Sequence, residues 1–224
     1  MGFLTISKFL MIISLPFLIL LLALNFFAFD NSFYAKEFSE YKVYDNVPQA
    51  LSLHGKVMEF ISGKSDDIPV NFNEREKQHL LDVRNVIRIS TIVLYIFIVL
   101  FILLLVVSSF ILKANNYIIN FVGKVLLFGG ILTVILAAIL FFLISSDFSA
   151  AFESFHQLFF ERGTYLFDPA KEIIVKLYPE QLFMDLGARI SKAVILTSAI
   201  IILVGIFLIF KSKSKKNKKN KKLQ

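Results

Sequence analysis

Four long stretches of this sequence contain no Lys, Arg, Asp or Glu: residues 9–29, 89–112, 125–144 and 193–210. A bilayer core needs roughly 20 apolar residues in a helix, and the shortest of these runs lies within the usual range of about 17–25. In lipid each must be helical, because only a helix satisfies its own backbone polar groups there. The predicted fold class is therefore an all-α membrane protein with four transmembrane helices. The first run is longer than the 7–15 residues of a secretory leader's apolar region and is followed by no good small-x-small site. It reads as a retained anchor.

Lys and Arg between the runs set the orientation. There is one before the first run, eight in 30–88, two in 113–124, five in 145–192 and eight in 211–224, which is all 24. The tail KSKSKKNKKNKKLQ has no acid and is the strongest inward signal. Four spans then place both termini and the 113–124 loop in the cytoplasm, with 30–88 and 145–192 outside. All 17 acidic residues fall in those two outer loops, which are nearly neutral as translocated segments should be. The net charge of +7 is thus mostly tail. It points to a membrane surface, at about 1 kcal/mol per basic residue near anionic lipid, and not to nucleic acid. Residues 1–210 read as one integral membrane domain in the plasma membrane, with 211–224 a basic cytoplasmic tail.

The outer loops are patterned. Asp45-Asn46-Val47-Pro48 reads as a helix start, with Leu51, Val57, Phe60 and Ile61 as an apolar face and Gly63 as a stop. Asn73 with Glu76 three residues on has the form of a capping box, and NEREKQHLLDVRNVIRI then leads directly into the second span. In the second loop Phe148, Phe152, Phe155 and Phe159 make a helical apolar stripe, suited to the outer membrane interface. Phe167-Asp168-Pro169 is expected to end that helix. Ala170–Leu177 reads as another short helix, ended by Tyr178-Pro179. Together the two loops are expected to form a small, mainly helical cap.

There is no cysteine, which excludes thiolate metal sites, a thiol nucleophile and an enzyme thioester. No Gly-rich phosphate loop or GxSxG elbow is present. All three histidines, His54, His79 and His156, map to the outer side, and histidine is the side chain best suited to move protons near neutral pH. His79 has Asp82 at i+3, near enough to orient the ring and favour its charged form. His156 has Glu153 at i−3 among aromatic neighbours. Spacing alone favours a routine helix-surface contact for each pair. Paired zinc-ligand spacing is absent, so a metal is not expected.

Two segments resemble a known family. ESFHQLFF, continuing through Phe167-Asp168-Pro169 to LYPEQLFMD, is similar to the second-loop signature of the bacterial lipoprotein intramolecular transacylases. NEREKQHLLDV is similar to their first-loop signature, and VMEFISG to the short helix and Gly that precede it. The resemblance runs from about Met1 to Phe210. Tyr165 departs from it, standing where Trp would be expected, and the basic tail lies outside the pattern.

What the resemblance implies is an acyl migration at the outer face of the membrane. The sn-2 chain of a diacylglyceryl-Cys lipoprotein passes from glycerol oxygen to the α-amine of that Cys, leaving a lyso-form lipoprotein. His79 and His156 match the family's two functional histidines; His54 does not. One would act as base toward the amine and the other toward the carbonyl or leaving oxygen, with Asp82 orienting His79. Glu74, Arg75 and Arg162 are weaker candidates for oxyanion or headgroup contacts, and the favoured reading of each is a structural salt bridge. The implied partners are a diacylated lipoprotein and membrane lipid, and no cofactor is implied. Two alternatives from other classes stand beside this reading: a different lipid hydrolase or acyltransferase, and a non-enzymatic sensor or assembly subunit. A transporter fits poorly, since no span carries an ionisable residue.

Overall fold

The computed structural model describes residues 2–161 and 163–221, with side chains as far as Ser214. Every regular element among them is a helix: α1 (Phe3–Phe27), α2 (Asn31–Glu40), α3 (Val43–Asn46), α4 (Ala50–Ile61), α5 (Glu74–Leu112), α6 (Asn115–Ser146), α7 (Phe148–Phe159), α8 (Ile173–Leu177) and α9 (Glu180–Lys221). α1, α5, α6 and α9 are long and apolar enough to cross a membrane. They contain the four charge-free runs. The chain divides into two compact units, residues 1–23, 93–140 and 190–224, and residues 24–92 and 141–189.

The first unit is a bundle held by close approach. Lipid tails are as apolar as leucine, so helices in a bilayer gain little from burying apolar faces and associate through packing and hydrogen bonds. Gly205 faces α6 so closely that a Cβ there would lie 2.7 Å from Leu127 N and 2.9 Å from Gly123 O. Ser7 and Ser108 share a 2.8 Å hydrogen bond between α1 and α5. Asn120 Nδ2 donates to Ser212 Oγ at 3.0 Å between α6 and α9. Phe17 and Phe97 stack at 5.2 Å. The expected 113–124 loop is only a two-residue turn, Lys113-Ala114, with Lys113 left-handed at φ 56°. The remainder of that segment extends α6, so Lys124 is helical. At the other end α9 continues past residue 210 through Lys221.

The second unit has a conventional core. Phe38, Ala50, Val57, Phe60, Leu177 and Leu182 are its most deeply buried apolar residues, drawn from α2, α4, α8 and the start of α9. α2 was not legible in the sequence; Asp30 caps it, accepting from Ser32 N at 3.1 Å while pairing with Arg189 at 2.7 Å. The expected start at Asp45 is displaced by one turn. Left-handed Lys42 (φ 51°) opens α3, which takes up Asp45, and α4 begins at Ala50. Gly63, at φ 78°, follows the end of α4 as expected.

The capping box forms with both hydrogen bonds. Glu76 N donates to Asn73 Oδ1 at 3.0 Å, and Asn73 N donates to Glu76 Oε2 at 2.7 Å. α5 then runs without a break from Glu74 into the charge-free stretch that starts at Ile89. Asp147, one residue beyond α6, caps α7 by accepting from Ala150 N at 3.0 Å. α7 stops at Phe159, earlier than expected. Phe160 is extended and Gly163 turns at φ 93°, so the chain has left the helix before it reaches Asp168-Pro169.

Candidate active site

The second unit brings His79 and His156 together. Their rings lie 6.0 Å apart, centre to centre, and within 20° of parallel. His79 is on the first turns of α5, ten residues before the charge-free stretch; His156 is in the last turn of α7. Phe160 is shared, 4.8 Å from His79 and 5.3 Å from His156. Phe167 adds an edge contact to His79 at 5.4 Å, and Phe152 and Tyr165 lie 4.2 and 5.2 Å from His156. The helical spacing that made the Phe stripe therefore serves two purposes. Phe152 turns inward with His156, while Phe155, Leu158 and Phe159 are exposed.

The aromatic wall sets the charge state. Burial, aided by the nearby His156, pushes the His79 pKa down to about 4. Burial also lowers His156, although its hydrogen bond to Phe152 works the other way. Both rings are neutral near pH 7. A neutral imidazole has one N–H and one bare nitrogen, and here the surroundings choose between them. His156 Nδ1 sits 2.7 Å from Phe152 O. A carbonyl only accepts, so Nδ1 carries the proton and Nε2 is the free base. His79 Nδ1 is sealed with no partner among the described residues. A sealed N–H without an acceptor is the costlier orphan, so the His79 proton belongs on Nε2. The site thus offers one proton acceptor and one donor from a near-parallel pair.

The sequence-named supporting residues fare differently. Asp82 does not reach His79; its carboxylate accepts from Gln78 Nε2 at 3.3 Å, one turn back on the exposed face of α5. Nor is the charged form of His79 favoured, because burial dominates. Glu153 likewise accepts from Gln157, at 2.9 Å. Glu74 is exposed and pairs with Lys77 at 2.7 Å. Arg75 is committed to Glu172, donating from Nε at 3.0 Å and from Nη2 at 2.6 Å to the other oxygen. Arg162 lies outside the described residues. His54 belongs elsewhere, with Tyr34 at 4.0 Å, Phe38 and Tyr178 around it, and it shares no ring neighbour with the pair. Among the described residues no three His, Asp or Glu side chains gather to hold a metal ion.

The sequence placed Phe160 beside His156, as observed, but did not reveal its contact with His79, nor that of Phe167, which was read as a helix breaker and part of the second-loop signature; Glu172 was missed. Nothing local marks Glu172, whose side-chain partners Asn73 and Arg75 lie almost one hundred residues away.

A sequence model of the lipoprotein intramolecular transacylase Lit matches residues 9–183. The chain belongs to this family. The crystal structure of the membrane integral lipoprotein intramolecular transacylase Lit from Bacillus cereus is similar, with a TM-score of 0.79 at 22% identity, covering 94% of this chain and 98% of that one. The same Bacillus cereus protein with one histidine changed to alanine gives 0.77 at 21% identity, covering 94% and 96%. With that histidine changed to arginine it gives 0.77 at 21%, covering 95% and 94%. At such identities the likeness concerns the fold. No curated protein sequence gives a significant match. As a member of the Lit family, the chain is an all-helical, multi-pass membrane protein of a family named for intramolecular acyl transfer on lipoproteins.

Proposed function

We propose that this chain moves the sn-2 acyl group of a diacylglyceryl-Cys lipoprotein to the α-amine of the same Cys. The observation that carries the reading is the near-parallel imidazole pair 6.0 Å apart, with opposite proton inventories. Two rings this close can both reach the groups that react around one ester, the carbonyl oxygen and the attacking amine.

The chemistry is an ester aminolysis. The α-ammonium, with an ordinary pKa of about 7.7–8.0, first gives up a proton. The amine nitrogen then attacks the sn-2 carbonyl carbon while His156 Nε2 takes its second proton. His79 Nε2–H donates to the carbonyl oxygen and holds the negative charge that grows there. When the bond from carbon to glycerol oxygen breaks, the His156 imidazolium hands its proton to that oxygen. The amide, a free glycerol hydroxyl and two neutral histidines remain, so the proton count closes. His79 stays a hydrogen-bond donor throughout. Losing its Nε2 proton while Nδ1 is bare would leave an imidazolate. Nucleophile and ester sit on one molecule, which supplies the proximity advantage of an intramolecular reaction. No enzyme nucleophile enters, in keeping with a chain that has no cysteine.

The basic tail supports placing both termini in the cytoplasm and the pair outside, and the exposed Phe155, Leu158 and Phe159 support seating α7 at headgroup depth. A Val70→Cys variant tests the first point, since the chain is otherwise free of thiols and Val70 is 90% exposed. A membrane-impermeant maleimide should label it in intact cells; labelling only after lysis would reverse the topology.

The reaction is tested by expressing wild type, His79→Ala and His156→Ala beside a diacylated lipoprotein and sequencing its N-terminal peptide by mass spectrometry. Wild type should yield N-acyl Cys bearing a monoacylglycerol, and both variants the unconverted form. Free fatty acid with a free amine would make the protein a hydrolase instead.

A further inference from the structure

His79 lacks the hydrogen bond by which a working histidine is usually oriented. Its Nδ1 has no partner among the described residues and Asp82 is engaged by Gln78. What faces the ring is aromatic: Phe160 on one side and Phe167 on another. Phe167 lies in the irregular stretch between Gly163 and α8, where no helix or strand fixes a side chain. Something else must hold it.

The holding groups are two buried carboxylates that cross over. Glu172, just before α8, is 5% exposed and reaches back to the start of α5, accepting from Arg75 Nε and Nη2 and from Asn73 Nδ2 at 3.4 Å. Its second oxygen also accepts from the backbone N–H of Asp168, the residue after Phe167. Glu76, on α5, is 1% exposed and reaches the other way, accepting from Ile174 N at 2.8 Å as well as from Asn73 N. Each segment buries a carboxylate that the other segment satisfies. The Arg75 guanidinium, fixed by Glu172, then lies 5.3 Å above the Phe167 ring. Phe167 therefore touches both Arg75 and His79.

We propose that this reciprocal clasp, Arg75 with Glu172 and Glu76 with Ile174 N–H, is the positioning device for His79 and acts through Phe167. Its catalytic consequence rests on the reading of His79 given above. The clasp takes the role that spacing assigned to Asp82, and it removes Arg75 from direct work on the substrate. The physical basis is the stiffness of the parts. A planar guanidinium gripped at two points cannot swing as a lysine ammonium does, and a buried carboxylate that loses its partner is strongly penalised. Burial by itself would raise the Glu172 pKa, but Arg75, Asp168 N–H and Asn73 together hold it below the ordinary carboxylate range. The clasp therefore stays charged and closed at neutral pH. Among the described residues, His156 from α7 is the ionisable group that acts on His79 through space; Glu76 and Asp82 lie one turn away on its own helix, and Arg75 meets it only through Phe167.

The test uses the full-length protein in detergent micelles with three variants: Phe167→Leu, Arg75→Lys and Glu172→Gln. With only three histidines in the chain, His79 can be assigned by its own substitution and titrated by NMR. A displacement of about 1 Å costs on the order of 100-fold in rate. Each variant should therefore lower kcat by roughly 10–100-fold with KM little changed, and should move the His79 titration up toward 6.5 as water reaches the ring. Phe167→Tyr, which keeps the ring, should restore both. Folded variants whose His79 titration stays at wild-type values would overturn the proposal, whatever their rates. So would a raised KM at unchanged kcat for Arg75→Lys, which would assign Arg75 to the substrate. A moved titration with unchanged turnover would uphold the clasp and sink the catalytic role of His79.

Discussion

His54 and His79 sit in the same unit, both buried, both with a ring nitrogen that finds no partner among the described residues, and burial brings both to a pKa of about 4. Their surroundings nonetheless put them to different ends. His54 is wholly enclosed by α2, α4 and the Tyr178 turn; its Nδ1 shares a 3.0 Å hydrogen bond with the Tyr178 hydroxyl, and its ring lies against Tyr34. Burial holds both tyrosines protonated at every ordinary pH. Such a group has nowhere to send a proton. His79 faces a second imidazole, and that second ring is partly exposed. Burial and weakened basicity are thus common to His54 and to the histidine proposed to work. A neighbour able to take up a proton, and an approach for substrate, separate the two.

The widest separation should come from removing each ring. His79→Ala or His156→Ala is expected to lower turnover by 10²–10⁴-fold, the usual worth of general acid–base assistance, measured as N-acyl product per unit time. His54→Phe should leave turnover within about threefold of wild type. If the His54 variant proved as inactive as the others while folded, the comparison would fail.

His54→Phe should instead show in stability. It strands the Tyr178 hydroxyl, and an unsatisfied buried hydroxyl costs about 1–3 kcal/mol, to be read as a lowered Tm in detergent. It should also flatten the acid response. His54 and His79 have folded pKa values near 4, below the ordinary 6.5. Between those limits the unfolded chain binds protons that the folded one does not. Stability is therefore fully present above about 6.5 and declines as pH falls toward 4. The wild type should lose Tm across that window, His54→Phe less, and a His54→Phe, His79→Phe double variant least.

Turnover should follow a different curve. Burial lowers both rings from the ordinary 6.5, so under the proposed function kcat/KM should rise with pH through the range of the α-amine, about 7.7–8.0, and any inflection from His156 should lie below 6.5. An inflection at 6.5 that disappears in His156→Ala would mean the ring titrates as an ordinary exposed histidine. The smallest effect is expected from Asp82→Asn. Its carboxylate accepts from Gln78 and does not meet His79, so turnover should stay within about twofold. A 100-fold loss would restore Asp82 as the orienting group.

Much of this was readable from local pattern. The spans follow from charge-free length, the start of α5 from Asn73 and Glu76, and α7 from its Phe spacing, because each is decided within a few residues. The two histidines could be named but not paired, since 77 positions separate them and no local rule spans that distance. The same limit hid the crossed carboxylates: Arg75 was read as a salt-bridge residue, as observed, but its partner Glu172 could not be named. Asp82 failed for a subtler reason. An i+3 spacing places two side chains on one side of a helix, but His79 turned inward toward Phe160 and Phe167 while Asp82 stayed with Gln78 at the surface.

The central claim is that an acyl chain passes directly from glycerol to nitrogen between His79 and His156. The most direct measurement follows a lipopeptide whose sn-2 acyl chain alone carries a stable isotope, added to proteoliposomes of the purified protein and analysed by mass spectrometry. The account predicts all of the label in the new amide with wild type and none with His156→Ala. Label recovered as free fatty acid, or an amide formed from unlabelled bilayer lipid, would contradict it.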